Sequence, residues 1–335
     1  MPKVTVLTAV KDGAQYLAET IDSIRNQTFE DWEYILVDDQ SSDATVEIIK
    51  GYQAQDERIK LIQLDKNLGP YGAANVGLKA ALGEYVVRTD GDDISLPNRI
   101  EKQLDFLAAN PHLRACASYA QRIDKDSNVL EDNKVISSLT AGSMKWYLFL
   151  RCPLVHSTAC VERNVFEEMG GYDTTFTSQD YKMWSYLVRQ NYVAQIPEIL
   201  VYFRLTPSGI SLSRQNVQQS NGLKVAQDHI REVTGETWSL DRIKALNALG
   251  LVKKGSPVFQ TMKASRLWDE YWLADDTLSD EEMSELASLS RYLRKSFLRR
   301  NRRHQFLQVI MNARNYVFPK PRSGKHIPDP NIPPY

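Results

Sequence analysis

Residues 84–93 read EYVVRTDGDD and residues 32–39 read WEYILVDD. Each is a short run rich in β-branched and aromatic residues that ends in carboxylates: Asp90, Asp92 and Asp93 in one, Asp38 and Asp39 in the other. Apolar runs of this length, bounded by turn residues, read as buried strands over 84–88 and 32–37. Working outward, 4–10 is a strand and 59–64 another. Between the strands the period changes. Tyr16, Leu17, Thr20, Ile21 and Ile24 fall at helical spacing within 14–26, Ser41 to Asp43 offers cap chemistry for a helix through Ile49, and a turn at 67–70 opens a helix running to Leu82. Strands alternating with helices predict an α/β fold, a Rossmann-like sheet covered by flanking helices. Open sheets of this kind bind ligands beyond the carboxyl ends of their strands, where both acidic clusters fall.

Further strands are expected over 113–119, 158–161 and 199–204, with helices over 100–109, 164–169 and 181–190, so the sheet should be mixed but mainly parallel. Strand signals then stop. The reading divides the chain into an α/β domain over 1–212, a helical extension over 213–318 and a Pro-rich tail over 319–335 expected to be poorly ordered.

Composition narrows the function. With 335 residues, 42% hydrophobic and 25% charged, the chain can bury a core, which excludes disorder, collagen and small disulfide scaffolds. The 41 Lys and Arg against 42 Asp and Glu leave a net charge of -1, so no whole-molecule field attracts nucleic acid, and no nucleic-acid partner is expected. Three cysteines without CxxC spacing fit a reducing compartment; Cys152 and Cys160 read as small apolar residues. The opening MPKVTVLTAV is too short for a secretory signal, so a cytoplasmic chain is expected.

Close carboxylates repel unless a cation or ligand hydroxyls share their charge, and oxygen ligands suit Mg²⁺ or Mn²⁺. A divalent ion at Asp90-Gly91-Asp92 would bridge a diphosphate. The alternative is that each aspartate caps a helix or makes an Asx-turn; two clusters at adjacent strand ends favour the cation. Gly69, Gly72 and Gly77 do not form GxGxxG and no GxxxxGK[ST] occurs, so phosphate binding falls to metal and side chains.

These motifs, taken in order, resemble family 2 glycosyltransferases of the GT-A fold, inverting enzymes that use a metal and a nucleotide sugar. The resemblance runs over about residues 3–211: Lys11-Asp12-Gly13 through Tyr16-Leu17, Gln27-Thr28-Phe29, the block 32–45, Asn67-Leu68-Gly69, Ala74-Asn75-Val76-Gly77, Gly83-Glu84-Tyr85, Asp90 to Asp93, His156-Ser157-Thr158, Gly170 to Asp173, Gln179-Asp180, Tyr202-Phe203-Arg204 and Ser211. It implies a GT-A catalytic domain over 1–212 in which Thr8, Ala9 and Val10 line the nucleotide pocket, Asp39 bonds the base, Asp90 lies near the ribose and Asp92 binds the metal. Asp12, Gly69, Asn75, Gly91, His156 and Arg204 join the nucleotide-sugar-binding set. Asp180 corresponds to the catalytic base, which would take a proton from the acceptor hydroxyl; by position alone it equally suits the first turn of a helix. Donor and acceptor would be a nucleoside-diphosphate sugar and a glycan or lipid-linked hydroxyl, in cell-surface polysaccharide or glycolipid synthesis.

Three positions depart from the pattern. Lys11-Asp12 replaces Tyr-Asn, Gln179 replaces a Glu, and Thr206 stands where a histidine is common. Two rival readings therefore stay open: a metal-dependent nucleotidyltransferase, and a nucleotide-sugar-binding protein without turnover. The basic stretch 286–318, with Leu286, Leu289, Leu293 and Phe297 at helical spacing, fits either peripheral contact with an anionic membrane or a helix packed on the protein with its arginines in water.

Overall fold

The apolar runs form the strands they predict, and the order in which those strands pair decides where the site lies. The computed structural model describes residues 1–135, 140–175, 178–206, 215–251 and 258–300. In chain order the elements are β1 (Val4–Val10), α1 (Leu17–Arg25), β2 (Trp32–Asp38), α2 (Thr45–Gln53), β3 (Ile59–Gln63), α3 (Gly69–Ala80), β4 (Tyr85–Arg88), β5 (Ile94–Ser95), α4 (Arg99–Ala109), β6 (Ala115–Ile123), β7 (Val129–Val135) and α5 (Ala141–Tyr147). Then come β8 (Cys160–Glu162), α6 (Arg163–Glu168), α7 (Gln179–Arg189), β9 (Val193–Arg204), α8 (Gln215–Thr234), α9 (Leu240–Leu251), α10 (Val258–Leu273) and α11 (Asp280–Arg300).

Two compact units result: Met1–Ser137 with Leu154–Gln218, and Ser138–Pro153 with the chain from Gln219. The first holds one sheet in the order β3-β2-β1-β4-β8-β6-β9-β5, with β7 beside β6. β1, β2, β3, β4, β6 and β9 run one way, and β5, β7 and β8 run against them. The sheet is mixed and mostly parallel, as the alternation of elements predicts. Two consequences follow. The carboxyl ends of β1, β2, β4, β6 and β9 share one rim, and the reversed β8 brings its amino end, with His156 and Ser157, to that same rim.

Central strands covered on both faces need apolar residues at nearly every position. β1 and β2 meet this, with every residue buried except Ala9, which is partly exposed. α3 approaches β1 so closely that a Cβ on Gly77 would lie 2.3 Å from Leu7 Cδ1. α1 turns Leu17, Ile21 and Ile24 inward. It starts at Leu17, three residues later than the periodicity suggests. Gly13 N–H donates to Thr45 Oγ1 (2.8 Å) and Ala14 N–H to Asp43 Oδ2 (3.0 Å), which holds that stretch as a loop. Asp43 also accepts from Thr45 N–H (3.0 Å), so the second helix begins at Thr45.

The sequence reading misses β5, β7 and α5. β5 has two residues, and VLEDNKV in β7 has no sustained apolar alternation. β9 begins at Val193 instead of Ile199; Pro197, which cannot donate to a ladder, interrupts its sequence pattern, and the register against β6 shifts there.

The second unit is helical. Its core holds Trp238, Trp268 and Trp272. Ser279 and Glu282 form a capping box at the start of α11, with Ser279 N–H donating to Glu282 (2.8 Å) and Glu282 N–H to Ser279 Oγ (3.2 Å). Residues 138–153 cluster with this unit because Glu282 also accepts from Gly142 N–H (2.8 Å) and Glu285 from Thr140 N–H (3.1 Å), while Trp146 Nε1 donates to Asp275 (3.0 Å). Leu286 and Leu293 are buried here, so the described part of the basic stretch keeps these leucines inside, in line with the packed alternative. Residues 301–318, the tail 319–335 and Ser211 lie outside the described residues. Among the described residues no helix is long and apolar enough to cross a membrane.

Candidate active site

The rim of the sheet collects the side chains singled out by sequence, and its geometry sorts them. β4 ends at Arg88, which is 3% exposed. Its guanidinium donates to the Leu7 carbonyl (2.7 Å), to His156 Nε2 (3.3 Å) and to Asp90 Oδ1 (3.4 Å). One buried cation thus orients the first carboxylate of the Asp90-Gly91-Asp92 turn and the imidazole brought in by the reversed β8. Gly91 lets the turn lie against β1: a Cβ there would come within 3.2 Å of Val10 Cγ2.

Among the described residues, no cation is in hydrogen-bond contact with the Asp92 carboxylate. Burial, with the negative Asp90 beside it, pushes its carboxyl up to about 6. Asp93 is fully buried, accepting from the Ser157 hydroxyl and from Arg204 N–H (2.9 Å). Burial, with Asp92 and Asp90 adding to it, drives its acid well above the usual carboxylate range. Asp93 therefore supports the turn from below.

Asp180 occupies the first turn of α7, after Ser178 in a left-handed conformation (φ 75°). Burial raises its acid, the backbone N–H of Tyr181 opposes the rise, and the charge of Asp90 adds to it. The two aspartates stand far apart in the chain, yet the fold brings them near enough for the charge of one to act on the other. Next to them stand Tyr71 and Tyr172, with ring centroids 5.5 Å apart. Tyr172 Oη meets His156 Nε2 at 3.1 Å. Burial first, and the positive Arg88 second, hold His156 well below the ordinary imidazole range, which keeps it neutral.

The nucleotide-side residues separate into open and supporting positions. Asp39 is buried at the end of β2 and accepts Leu68 N–H at 2.6 Å, which anchors the chain entering α3 at Gly69 (φ 74°). Thr8 points into the sheet: it donates to the Thr89 carbonyl (2.7 Å) and accepts from Tyr34 Oη (2.9 Å). Ala9 and Val10 end β1 beside the rim. Asp12, at φ 49°, accepts from Ser42 N–H (2.7 Å) and Ser42 Oγ (3.0 Å), stapling the loop after β1 to the loop after β2. Asn75 donates to the Tyr172 carbonyl (2.7 Å) and accepts Tyr172 N–H (2.8 Å). Gly171 (φ 78°) allows that clasp, since a Cβ there would meet Asn75 Oδ1 at 2.7 Å. Arg204 has its guanidinium bonded to protein groups on several sides.

The off-pattern residues also have partners. Gln179, 1% exposed, accepts Asp173 N–H at 3.1 Å, and Thr206 is buried. Arg88, Glu19 and Tyr172 were not foreseen as functional. An arginine closing an otherwise apolar strand was the available signal for Arg88.

Among the described residues, no three His, Cys, Asp or Glu side chains gather into a cation cage. The donor set nevertheless fits Mg²⁺ or Mn²⁺, which commonly take one or two carboxylates and complete their shell with water and phosphate oxygens. Asp90 and Asp92 are such a pair; burial first and the charge of Asp90 second raise the acid of Asp92, and the nearby positive Arg204 opposes the rise.

Comparison with known proteins bears on what this rim does. The profile described as Glycosyl transferase family 2 matches residues 5–168. An uncharacterized glycosyltransferase of Haemophilus influenzae is 30% identical over 269 residues, 75% of this chain and 80% of that one. A putative teichuronic acid biosynthesis glycosyltransferase of Bacillus subtilis, TuaG, is 29% identical over 64% of this chain and 83% of its own length. Two solved structures share the fold at 18% identity. Residues 1–349 of S. aureus TarS in complex with UDP-GlcNAc give a TM-score of 0.59 over 92% of each chain. The mannosyltransferase PcManGT of Pyrobaculum calidifontis, in complex with GDP-Man and Mn2+, gives 0.56 over 94% of this chain and 88% of its own.

Proposed function

Since the chain belongs to glycosyltransferase family 2, we propose that it transfers a sugar from a nucleoside-diphosphate sugar to an acceptor hydroxyl with inversion at the anomeric carbon. The features that carry this reading are the acidic turn at the strand rim, where Arg88 holds Asp90 at 3.4 Å, and a half-buried Asp180 whose acid is raised by burial and by the charge of that turn. Donor and base then act on one space.

The acceptor O–H gives its proton to Asp180, whose raised acid makes it a stronger base than an exposed aspartate. The oxygen forms a bond to the anomeric carbon as the bond from that carbon to the diphosphate oxygen breaks, and the electron pair leaves on the nucleoside diphosphate. Asp39 and the β1 residues Ala9 and Val10 hold the nucleoside, and Asp90 lies toward the ribose. Asp92, with Asp90, would hold Mn²⁺ or Mg²⁺, which when bound offsets negative charge on the departing diphosphate. Support for a metal comes from the Mn2+ that accompanies GDP-Man in the PcManGT complex and from the two carboxylates, Asp90 and Asp92, that one turn presents at the rim. Arg88 keeps Asp90 and the neutral His156 in place, and His156 and Tyr172 flank the sugar side.

Family membership removes the footing for nucleotidyl transfer. The non-catalytic alternative rests on the off-pattern Gln179 and Thr206; Gln179 accepts Asp173 N–H, and the turnover assay below decides between binding alone and transfer. A place in cell-surface polysaccharide or glycolipid synthesis draws support from the likeness to TuaG. The test is release of nucleoside diphosphate from a panel of UDP- and GDP-sugars with Mn²⁺, for the parent, Asp92→Asn and Asp180→Asn. Undiminished turnover in either variant sinks the role given to that residue, and pyrophosphate as product sinks the reaction.

A further inference from the structure

Arg204 ends β9 on the rim, where the resemblance places a residue for the donor. Its side chain is only 1% exposed. Nε donates to the Asp92 carbonyl at 2.8 Å, Nη1 to the Asp124 carbonyl at 3.2 Å and to Ser127 Oγ at 2.9 Å, and Nη2 to Glu19 Oε2 at 2.5 Å. The guanidinium carbon lies 4.4 Å from the centre of the Tyr16 ring. A guanidinium has five N–H donors, and these bonds occupy four. A group enclosed in this way has no free edge for a diphosphate.

The partners share one feature. Arg204 holds two consecutive residues of the acidic turn, Asp92 by its carbonyl through the side chain and Asp93 by its carboxylate through the backbone N–H (2.9 Å). The other bonds reach α1 and the residue before it, through Glu19 and Tyr16, and the turn between β6 and β7, through Asp124 and Ser127. That turn is itself tied to α1, since Ser127 Oγ also lies 3.0 Å from Glu19 Oε1. Glu19, whose side chain is 44% exposed, is the solvent-side end of this chain of contacts.

We propose that Arg204 is a positioning residue, not a ligand of the donor: it sets the Asp92 carboxylate for a divalent cation by clamping the backbone beneath it, and Glu19 and Ser127 lock the clamp. The proposal rests on the reading of Asp92 as a cation-holding residue, so the experiment separates the two.

Full-length parent, Arg204→Met, Arg204→Lys, Glu19→Gln, Ser127→Ala and Asp92→Asn are titrated with Mn²⁺ in the presence of UDP or GDP. Bound ion is read by electron paramagnetic resonance, and UDP and GDP binding in EDTA is read by calorimetry. Groups that orient metal ligands typically cost ~10 to 100-fold in metal affinity when removed. Arg204→Met is expected to weaken Mn²⁺ binding on that scale and to leave metal-free nucleotide binding unchanged. Arg204→Lys should recover part of the loss, and Glu19→Gln and Ser127→Ala should show smaller losses of the same kind. The two lock variants keep the test decisive if Arg204→Met does not fold. Loss of metal-free nucleotide binding in Arg204→Met, with Mn²⁺ affinity kept in the lock variants, would make Arg204 a donor ligand and overturn the proposal. Loss of Mn²⁺ binding in Asp92→Asn alone also overturns it and leaves the role of Asp92 standing. Undiminished Mn²⁺ binding in Asp92→Asn removes the underlying reading, and the proposal with it.

Discussion

Carboxylates are treated in opposite ways at the rim of the sheet and in the helical unit. In the helical unit, the buried Asp269 pairs with Arg294 and the half-buried Asp275 with Lys145 at 2.6 Å. Asp269 also accepts from Trp272 Nε1 (3.0 Å) and Ser290 Oγ (2.9 Å). At the rim of the sheet, Asp92 and Asp180 are half-buried with raised acids, and among the described residues no cation hydrogen-bonds either carboxylate. Buried charge without a partner is costly. The roles proposed for Asp92 and Asp180 account for such a charge, since a bound cation would supply the partner of one and an acceptor proton that of the other.

The sharpest way to break this contrast is Asp180→Asn. Removing a general base typically lowers the rate by ~10² to 10⁴-fold, so kcat should fall on that scale while nucleoside-diphosphate binding, measured by calorimetry, stays as in the parent. Full activity would place Asp180 with the structural acids. In the helical unit the corresponding change is Asp269→Ala, which strands Arg294 in the core. Breaking a buried pair from one side costs about 3–5 kcal/mol, to be read as a shift of the urea transition followed by tryptophan fluorescence. A shift too small to measure would mean that Arg294 reaches water and the pair is not buried in effect.

A third test uses pH. The Asp92 acid sits at about 6, above the ordinary aspartate value. The folded protein therefore holds a proton that the unfolded chain has released, and stability falls as pH rises through the window from about 4 to about 6. Cation binding needs the ionised form. The increase in melting temperature on adding Mn²⁺ should thus be small below this window, grow across it and level off above. A constant increase across that window would show that the ion binds elsewhere. The smallest effect is expected from Tyr34→Phe, which removes one buried hydrogen bond to Thr8 and should cost about 1 kcal/mol. Thr8 supports the sheet from inside, so the KM for the donor should not move; a raised KM would return Thr8 to the pocket.

Much of the sheet could be read along the chain, because β1, β2 and β4 are central strands whose apolar residues are local and nearly continuous, and β3 at the edge shows a short apolar run between turn residues. β7 and α5 could not. β7 is polar and pairs with β6 off the main strand order, and α5 owes its place to Glu282 and Glu285, far along the chain in α11. The same division runs through the site. Asp39, Asp90, Asp92 and Asp180 were legible as acids at strand ends or a helix start. The supporting roles of Asp12, Asn75 and Arg204 were not, since each depends on a partner brought from another loop.

By itself the sequence determined the α/β alternation, the acidic turn after β4 and the family, because these rest on neighbours in the chain and on motif order. Only the tertiary structure decided that β8 runs reversed and delivers His156 to the rim, that Arg88 holds both Asp90 and that imidazole, and that Arg204 lies beneath the turn with four of its five donors engaged. Those outcomes depend on strand direction and on which groups meet in a space closed to water, and neither is carried by any local stretch of residues.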